Sequence, residues 1–131
     1  MRIYWFLIEN EGAFLLVQRK DDAPPFAGRW VLPGGEAPQS EWPDQMARRI
    51  GRDEFGVDVM GTEGFKTIGV KDGQIERSID VYRLGFEGMP HFRESGPYAE
   101  VGWAEPGDLE DLDVELPAEL RALLEGLARD N

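Results

Sequence analysis

Residues 34–57 hold a set of oxygen donors whose spacing suits cation chemistry. Gly34-Gly35 follows the apolar Trp30-Val31-Leu32, Glu41 lies six residues past Gly35, and Arg49, Asp53 and Glu54 precede Gly56-Val57. On a helix each residue advances about 100°, so positions 50, 53 and 54 fall within an arc of roughly 100° and Asp53 and Glu54 face the same side. Two carboxylates facing together attract a divalent cation. Adjacent glycines let a backbone carbonyl approach that cation closely, because no Cβ stands in the way. Carboxylates and carbonyls with no soft ligand beside them suit Mg²⁺ or Mn²⁺.

The composition removes most competing chemistries. There is no cysteine and a single histidine, His91, which all but excludes disulfides, Cys/His zinc sites and Cys- or Ser-His nucleophiles. Twenty-six acidic residues against fourteen basic give a net charge of −12, so the surface repels polymeric nucleic acid. A bridging cation still permits phosphate binding. No Walker, dinucleotide-binding or nucleophile-elbow motif occurs. With 131 residues, 41% of them hydrophobic, the chain is expected to form one domain over residues 1–131. The apolar run Ile3 to Ile8 is too short to span a bilayer and lacks a cleavage site, which predicts a soluble, cytoplasmic chain without a membrane partner.

The elements that must carry these donors follow from pattern. Ile3 to Ile8 and Phe14 to Val17, joined by Asn10-Glu11-Gly12, predict a hairpin buried on both faces. Asp21 to Gly28 reads as a loop, Trp30-Val31-Leu32 as a short strand ended by Pro33-Gly34-Gly35, and Asp44 to Phe55 as a helix between Pro43 and Gly56. Val57 to Met60 and Phe65 to Val70 read as strand pieces, and Asp72-Gly73 turns into a long strand, Ile75 to Phe86. Gly85 to Glu100 reads as one irregular loop and Val101 to Ala104 as a short strand. Leu116, Leu120, Leu123, Leu124 and Leu127 form the stripe of an amphipathic helix opened by Pro117. Trp30 and Trp103 are assigned to the core. Together these predict an α/β sandwich with a mixed sheet between helices.

On these residues the sequence resembles the Nudix family, whose box is G-x5-E-x7-R-E-U-x-E-E-x-G-U, with U a bulky aliphatic. Gly35, Glu41, Arg49, Asp53, Glu54, Gly56 and Val57 match seven of its nine defined positions, counting Asp for Glu. The flanks Leu15 to Arg19, Gly28-Arg29-Trp30, Leu32 to Gly35 and Glu100 to Trp103 with Leu109 are similar as well. The resemblance implies an α/β/α Nudix-like fold and Mg²⁺- or Mn²⁺-dependent hydrolysis of a diphosphate linkage in a nucleoside diphosphate derivative. It implies Gly35, Glu41, Asp53 and Glu54 as metal ligands, Arg49 as their orienting residue, and Glu100 or Glu94 as the late-loop carboxylate. Many members dimerise, and the hairpin strands offer an edge for a homodimer. Ile50 and Gly51 depart from the box, and Ile50 removes a glutamate that in many members binds metal or activates water. A catalytically impaired module that binds a nucleotide or protein partner is therefore the alternative. If position 50 faces the cleft, Ile50→Glu is expected to raise metal affinity. Gly73, Gln74 and Ile75 stand where some subfamilies show Pro or Tyr, so no substrate mark appears.

Simpler roles compete at each position. Asp53 and Glu54 also suit a solvated helix face, Arg49 an i,i+4 pair with Asp53, and Glu41 a first-turn position favoured by the helix dipole. His91, Phe92 and Tyr98 suit either stacking on a base or packing against the domain.

Overall fold

The computed structural model describes residues 2–92 and 96–129. Strand β1 (Ile3–Leu7) is buried at every position. Such a strand needs neighbours on both edges and cover on both faces. Accordingly it does not form the predicted hairpin with its successor. It runs parallel to β7 (Ile75–Glu87) and antiparallel to β5 (Gly34–Glu36), and β6 (Asp58–Asp72) completes the mixed sheet in the order β5-β1-β7-β6. The hairpin turn itself forms at the expected residues, but between the short β2 (Glu9–Asn10) and β3 (Ala13–Arg19). Glu11 and Gly12 both take positive φ there, the mirror-image turn that suits strand twist. In the second sheet β3 pairs antiparallel with β2, with β4 (Trp30–Val31) and with β8 (Tyr98–Ala104).

Three predicted boundaries move for identifiable reasons. Pro33-Gly34-Gly35 does not end a strand, because Gly34 and Gly35 pair with Trp5 and Tyr4 as part of β5. A Cβ at Gly34 would fall on the Tyr4 carbonyl, so only glycine permits this pairing. The two predicted strand pieces after Val57 are one strand of 15 residues. Its register slips between Val59 and Gly61 and again between Gly64 and Lys66, and these bulges absorb the residues that broke the pattern. The predicted loop from Gly85 to Glu100 loses its ends to β7 and β8, and Tyr98 within it is 1% exposed.

The early helix begins as α1 (Pro43–Ile50) but continues as a π-helical turn over Gly51–Phe55, closed by left-handed Gly56, whose N–H reaches the Gly51 carbonyl. The i→i+5 spacing breaks the 100° advance assumed from sequence. Ile50 is 2% exposed and packs in the core, Asp53 is exposed, and Glu54 is half-buried. The three side chains therefore do not share one open face, which corrects the arc drawn from an ideal helix. α2 (Ala118–Arg129) buries Leu120, Leu123, Leu124 and Leu127 as the stripe predicted. Trp30 packs half-buried against the core, but Trp103 is 40% exposed, since β8 has a single neighbour and turns the indole outward.

Gly51 is tightly enclosed. A Cβ added there would stand 2.6 Å from Val59 Cγ2 and 3.3 Å from the Val57 carbonyl oxygen. The Val59 and Val57 side chains and the Val57 carbonyl thus fill the space that a bulky residue at position 51 would need. Gly51→Ala is expected to destabilise the protein by about 1–3 kcal/mol through overpacking, against the roughly 1 kcal/mol gain that helix propensity alone predicts. Urea unfolding of Gly51→Ala, Val59→Ala and the pair checks this: the double variant should recover part of the loss, and additive losses would contradict it. Ile50→Glu is now expected to lower stability by several kcal/mol, because it places a carboxylate among apolar side chains.

Candidate active site

The box residues meet around a buried polar knot that the sequence did not reveal. Arg19, at the end of β3, is 7% exposed and is the one charged side chain classed as buried among the described residues. Its Nη1 donates to the Gly34 carbonyl at 2.8 Å and its Nε to the Ala23 carbonyl at 2.8 Å. A Cβ at Gly35 would stand 3.3 Å from Nη1, so the second glycine makes room for the guanidinium. The paired glycines do let a positive charge approach a carbonyl, and here that charge belongs to Arg19. The Arg19 guanidinium lies 5.9 Å from the centre of the Tyr98 ring, whose other packing partner is Phe55, stacked at 5.7 Å and 16°.

Tyr98 links this knot to the helix. Its hydroxyl accepts the Gly34 N–H at 3.0 Å, donates to the Gly34 carbonyl at 3.4 Å and lies within hydrogen-bonding reach of the Glu54 carboxylate. Burial pushes the Tyr98 phenol well above its ordinary range, and the adjacent Glu54 charge adds to that. The Glu54 carboxyl is itself held above the usual range, chiefly by burial; the Tyr98 hydrogen bond and the charges of Arg49 and Arg19 pull the other way, and Asp53 raises it further. One of its oxygens, Oε2, is buried with no hydrogen-bond partner. A buried carboxylate oxygen left without a donor is costly and calls for a positive partner.

Arg49 is joined to Glu41. Its Nε and Nη2 donate to the two Glu41 oxygens at 2.8 Å each, a bidentate clamp that holds the Glu41 carboxyl below the usual range. Glu41 precedes Trp42, the N-cap of α1, so it is not a first-turn residue, a place taken by Asp44. Arg49 also feels Glu54 and Asp53 electrostatically. Asp53 makes an exposed pair with Arg52 at 2.9 Å. Glu100 is exposed on β8 opposite Gln18, and Glu94 lies outside the described residues.

The donor set bears directly on metal binding. Among the described residues no three Asp, Glu or His side chains converge to enclose a cation. Mg²⁺, however, is commonly held by one or two carboxylates, with water and substrate phosphates completing the octahedron. The unpartnered Glu54 Oε2 with Asp53 beside it fits that kind of site. Glu41, with both oxygens engaged by Arg49, fits the support of the site better than a ligand position. Arg19 stood only at the end of a family-like flank and Tyr98 only as a stacking or packing residue in the sequence reading; their shared role beside Glu54 was missed. An arginine two residues past the apolar run Leu15-Leu16-Val17, at an inward-facing position of the same strand, was the signal for the first; Tyr98 gave none for this role within its Gly/Pro-rich surroundings.

Comparison with known proteins shows the family and the fold. Residues 2–125 match the NUDIX domain family. The chain is 30% identical to the nucleoside triphosphatase NudI of Escherichia coli over 132 aligned positions, which cover 92% of this chain and 93% of that protein. The crystal structure of the MutT protein from Methanosarcina mazei Go1 is similar with a TM-score of 0.81 at 24% identity, covering 100% of this chain and 94% of that one. That of a MutT NUDIX hydrolase from Burkholderia pseudomallei has a TM-score of 0.72 at 25% identity, covering 94% of each chain.

The buried network makes stability depend on pH in a definite direction. With its carboxyl raised by burial, folded Glu54 binds a proton more tightly than unfolded Glu54. Its contribution therefore favours folding at low pH and is lost as pH rises from the ordinary glutamate range through the raised value. Without divalent cation, Glu54→Gln should be more stable than the parent above that window and equal to it below, as measured by calorimetry across pH. A constant offset at all pH values would contradict the burial assignment. Tyr98→Phe leaves the buried Gly34 N–H without its acceptor and should cost about 1–3 kcal/mol in urea unfolding.

Proposed function

This chain belongs to the Nudix hydrolase family, and from that premise we propose that it hydrolyses a diphosphate linkage in a nucleoside di- or triphosphate with Mg²⁺ or Mn²⁺. The observation that carries the proposal is Glu54: a buried carboxylate with a free Oε2, fixed by Tyr98 and biased by two arginines, at the box position where the family places an acid. The relative named as a nucleoside triphosphatase supports a triphosphate substrate. A bound cation would supply charge neutralisation of the diphosphate, polarisation of the phosphoryl oxygen and a lowered pKa for the attacking water.

The chain's own residues then divide the remaining work. Glu54 and Asp53 would hold the cation, with the Gly35 carbonyl as a third oxygen donor. Arg49 fixes Glu41 and, through its charge, partly offsets the rise that burial imposes on the Glu54 carboxyl. Arg19 offsets the Glu54 charge from below while bracing the Gly34 carbonyl. Tyr98, within hydrogen-bonding reach, sets the carboxylate's orientation. Glu100 or Glu94 is proposed as the base that receives the water's proton.

One observation favours a second reading. Ile50 stands in the core where the family's box has a glutamate, so one carboxylate that many members use is missing. A module that binds a nucleotide or a protein partner without turnover would follow.

A panel of nucleoside triphosphates, nucleotide sugars and dinucleotides separates the two readings. Cleavage is expected to require Mg²⁺ or Mn²⁺, to stop with chelator, and to fall on the order of 100-fold or more in Glu54→Gln. Undiminished turnover in that variant would refute the role of Glu54. Saturable nucleotide binding with no product from any substrate would instead establish the binding module.

A further inference from the structure

A cleft of about 450 Å³ opens beside the box, within the ordinary size range of small-molecule sites. Tyr4, the register partner of Gly35, lines it, as does Glu41, whose carboxylate Arg49 holds. The cleft is thus joined to the carboxylate site through Glu41, whose partner Arg49 also feels the charges of Glu54 and Asp53. Trp42 stands at the same wall, 67% exposed, and is the most exposed large apolar side chain among the described residues. An indole left in water forgoes a large burial gain. Its backbone, moreover, is not loose. As the N-cap of α1, Trp42 donates its N–H to Gln45 Oε1 at 2.8 Å and accepts the Met46 N–H on its carbonyl at 3.0 Å. The ring is therefore carried on a fixed point at the edge of a cleft that shares Glu41 with the surroundings of the proposed phosphate chemistry. Arg2 and Gln39 also line the cleft and add a cation and an amide able to donate and accept.

We propose that Trp42 is the platform on which the nucleobase of the substrate stacks, with the phosphates running past Glu41 toward Glu54. This rests on the hydrolase reading above and adds the element that would recognise a nucleotide as such. Stacking uses the π-face that every base possesses, so it raises affinity for nucleotides in general without selecting one base. Trp42 then discriminates nucleotides from base-free polyphosphates. Arg2, at the same wall, is placed to meet ribose or phosphate oxygens. The other strongly exposed apolar side chains among the described residues, Met60 and Ile75 of the β6–β7 hairpin and Met89 just past β7, line no part of this cleft.

The test compares three ligands on the full chain: a non-hydrolysable imido analogue of a nucleoside triphosphate, the corresponding nucleoside, and inorganic tripolyphosphate, each with Mg²⁺. Calorimetry should show Trp42→Ala losing about tenfold or more in affinity for the analogue and the nucleoside while keeping its affinity for tripolyphosphate. Trp42→Phe should retain most of the binding. Tryptophan fluorescence should be quenched by the nucleoside in the parent and in Trp103→Phe, and not in Trp42→Phe. In steady-state hydrolysis, Trp42→Ala should raise KM with little change in kcat. Equal losses for nucleotide and tripolyphosphate, unchanged nucleotide affinity in Trp42→Ala, or a parent that binds neither nucleoside nor nucleotide would each overturn the proposal. Nucleoside binding that depends on Trp42 in a chain that hydrolyses no substrate would uphold the stacking site and refute the hydrolase reading, so the two failures are distinguishable.

Discussion

A single carboxylate, Glu54, is placed where water cannot solvate both of its oxygens, and the surrounding structure is arranged around that cost. Moving an ionised group out of water is expensive unless hydrogen bonds and opposite charge replace the lost solvation. Tyr98 supplies the hydrogen bond, and Arg19 and Arg49 supply the charge. Their compensation is incomplete: burial still dominates, and Oε2 keeps no donor. The deficit is the useful part. An oxygen fully satisfied by protein donors would have nothing to offer a cation, whereas one left short favours any positive ligand that reaches it.

That requirement extends outward through β5 and β3. Tyr98 can reach Glu54 only because its hydroxyl is anchored on the Gly34 N–H, and Gly34 can present that N–H only where it packs against the Tyr4 carbonyl without a Cβ. Arg19 passes beside Gly35 for the same reason. The glycine pair therefore serves strand pairing, arginine passage and hydroxyl anchoring at once, and each use excludes a side chain. On the helix side, Gly51 and Ile50 have exchanged the usual pattern of the box. The aliphatic residue is at 50, in the core, and the space at 51 is taken by Val59 from β6. The π turn follows at that point and delivers Glu54 to Tyr98, in line with the frequent occurrence of such turns at functional sites.

The elements whose evidence is local were legible in the sequence. The leucine stripe of α2, the Glu11-Gly12 turn and the box spacing each report on contacts or dihedrals within a few residues, and each stands where expected. What stayed hidden depends on distant partners. The parallel pairing of β1 with β7 joins residues more than seventy positions apart, and no local pattern could choose it over the nearer hairpin. The π turn required knowing that Val59 would occupy the space beside Gly51. Tyr98 lay in a stretch dense in Gly and Pro, and its burial comes from Phe55, Arg19 and Gly34, none of them near it in the chain. The bidentate hold of Arg49 on Glu41, by contrast, fits the orienting role that the box pattern implies for the arginine.

The charge balance places a further condition on the proposed chemistry. A chain with net charge −12 repels a polyphosphate at a distance, and two arginines nearest the site are already engaged, Arg19 with carbonyls and the Glu54 field and Arg49 with Glu41. Little free positive charge is left to draw in an anion. A nucleotide that arrives complexed with a divalent cation carries less net charge and meets less of this repulsion. The same complex would present its cation to an acidic site where, among the described residues, no cage of carboxylates encloses a metal, an arrangement that suits a metal shared with phosphate oxygens. An acidic surface and an incomplete ligand set therefore favour the same substrate form, the metal–nucleotide complex, over stepwise binding of free metal and free nucleotide.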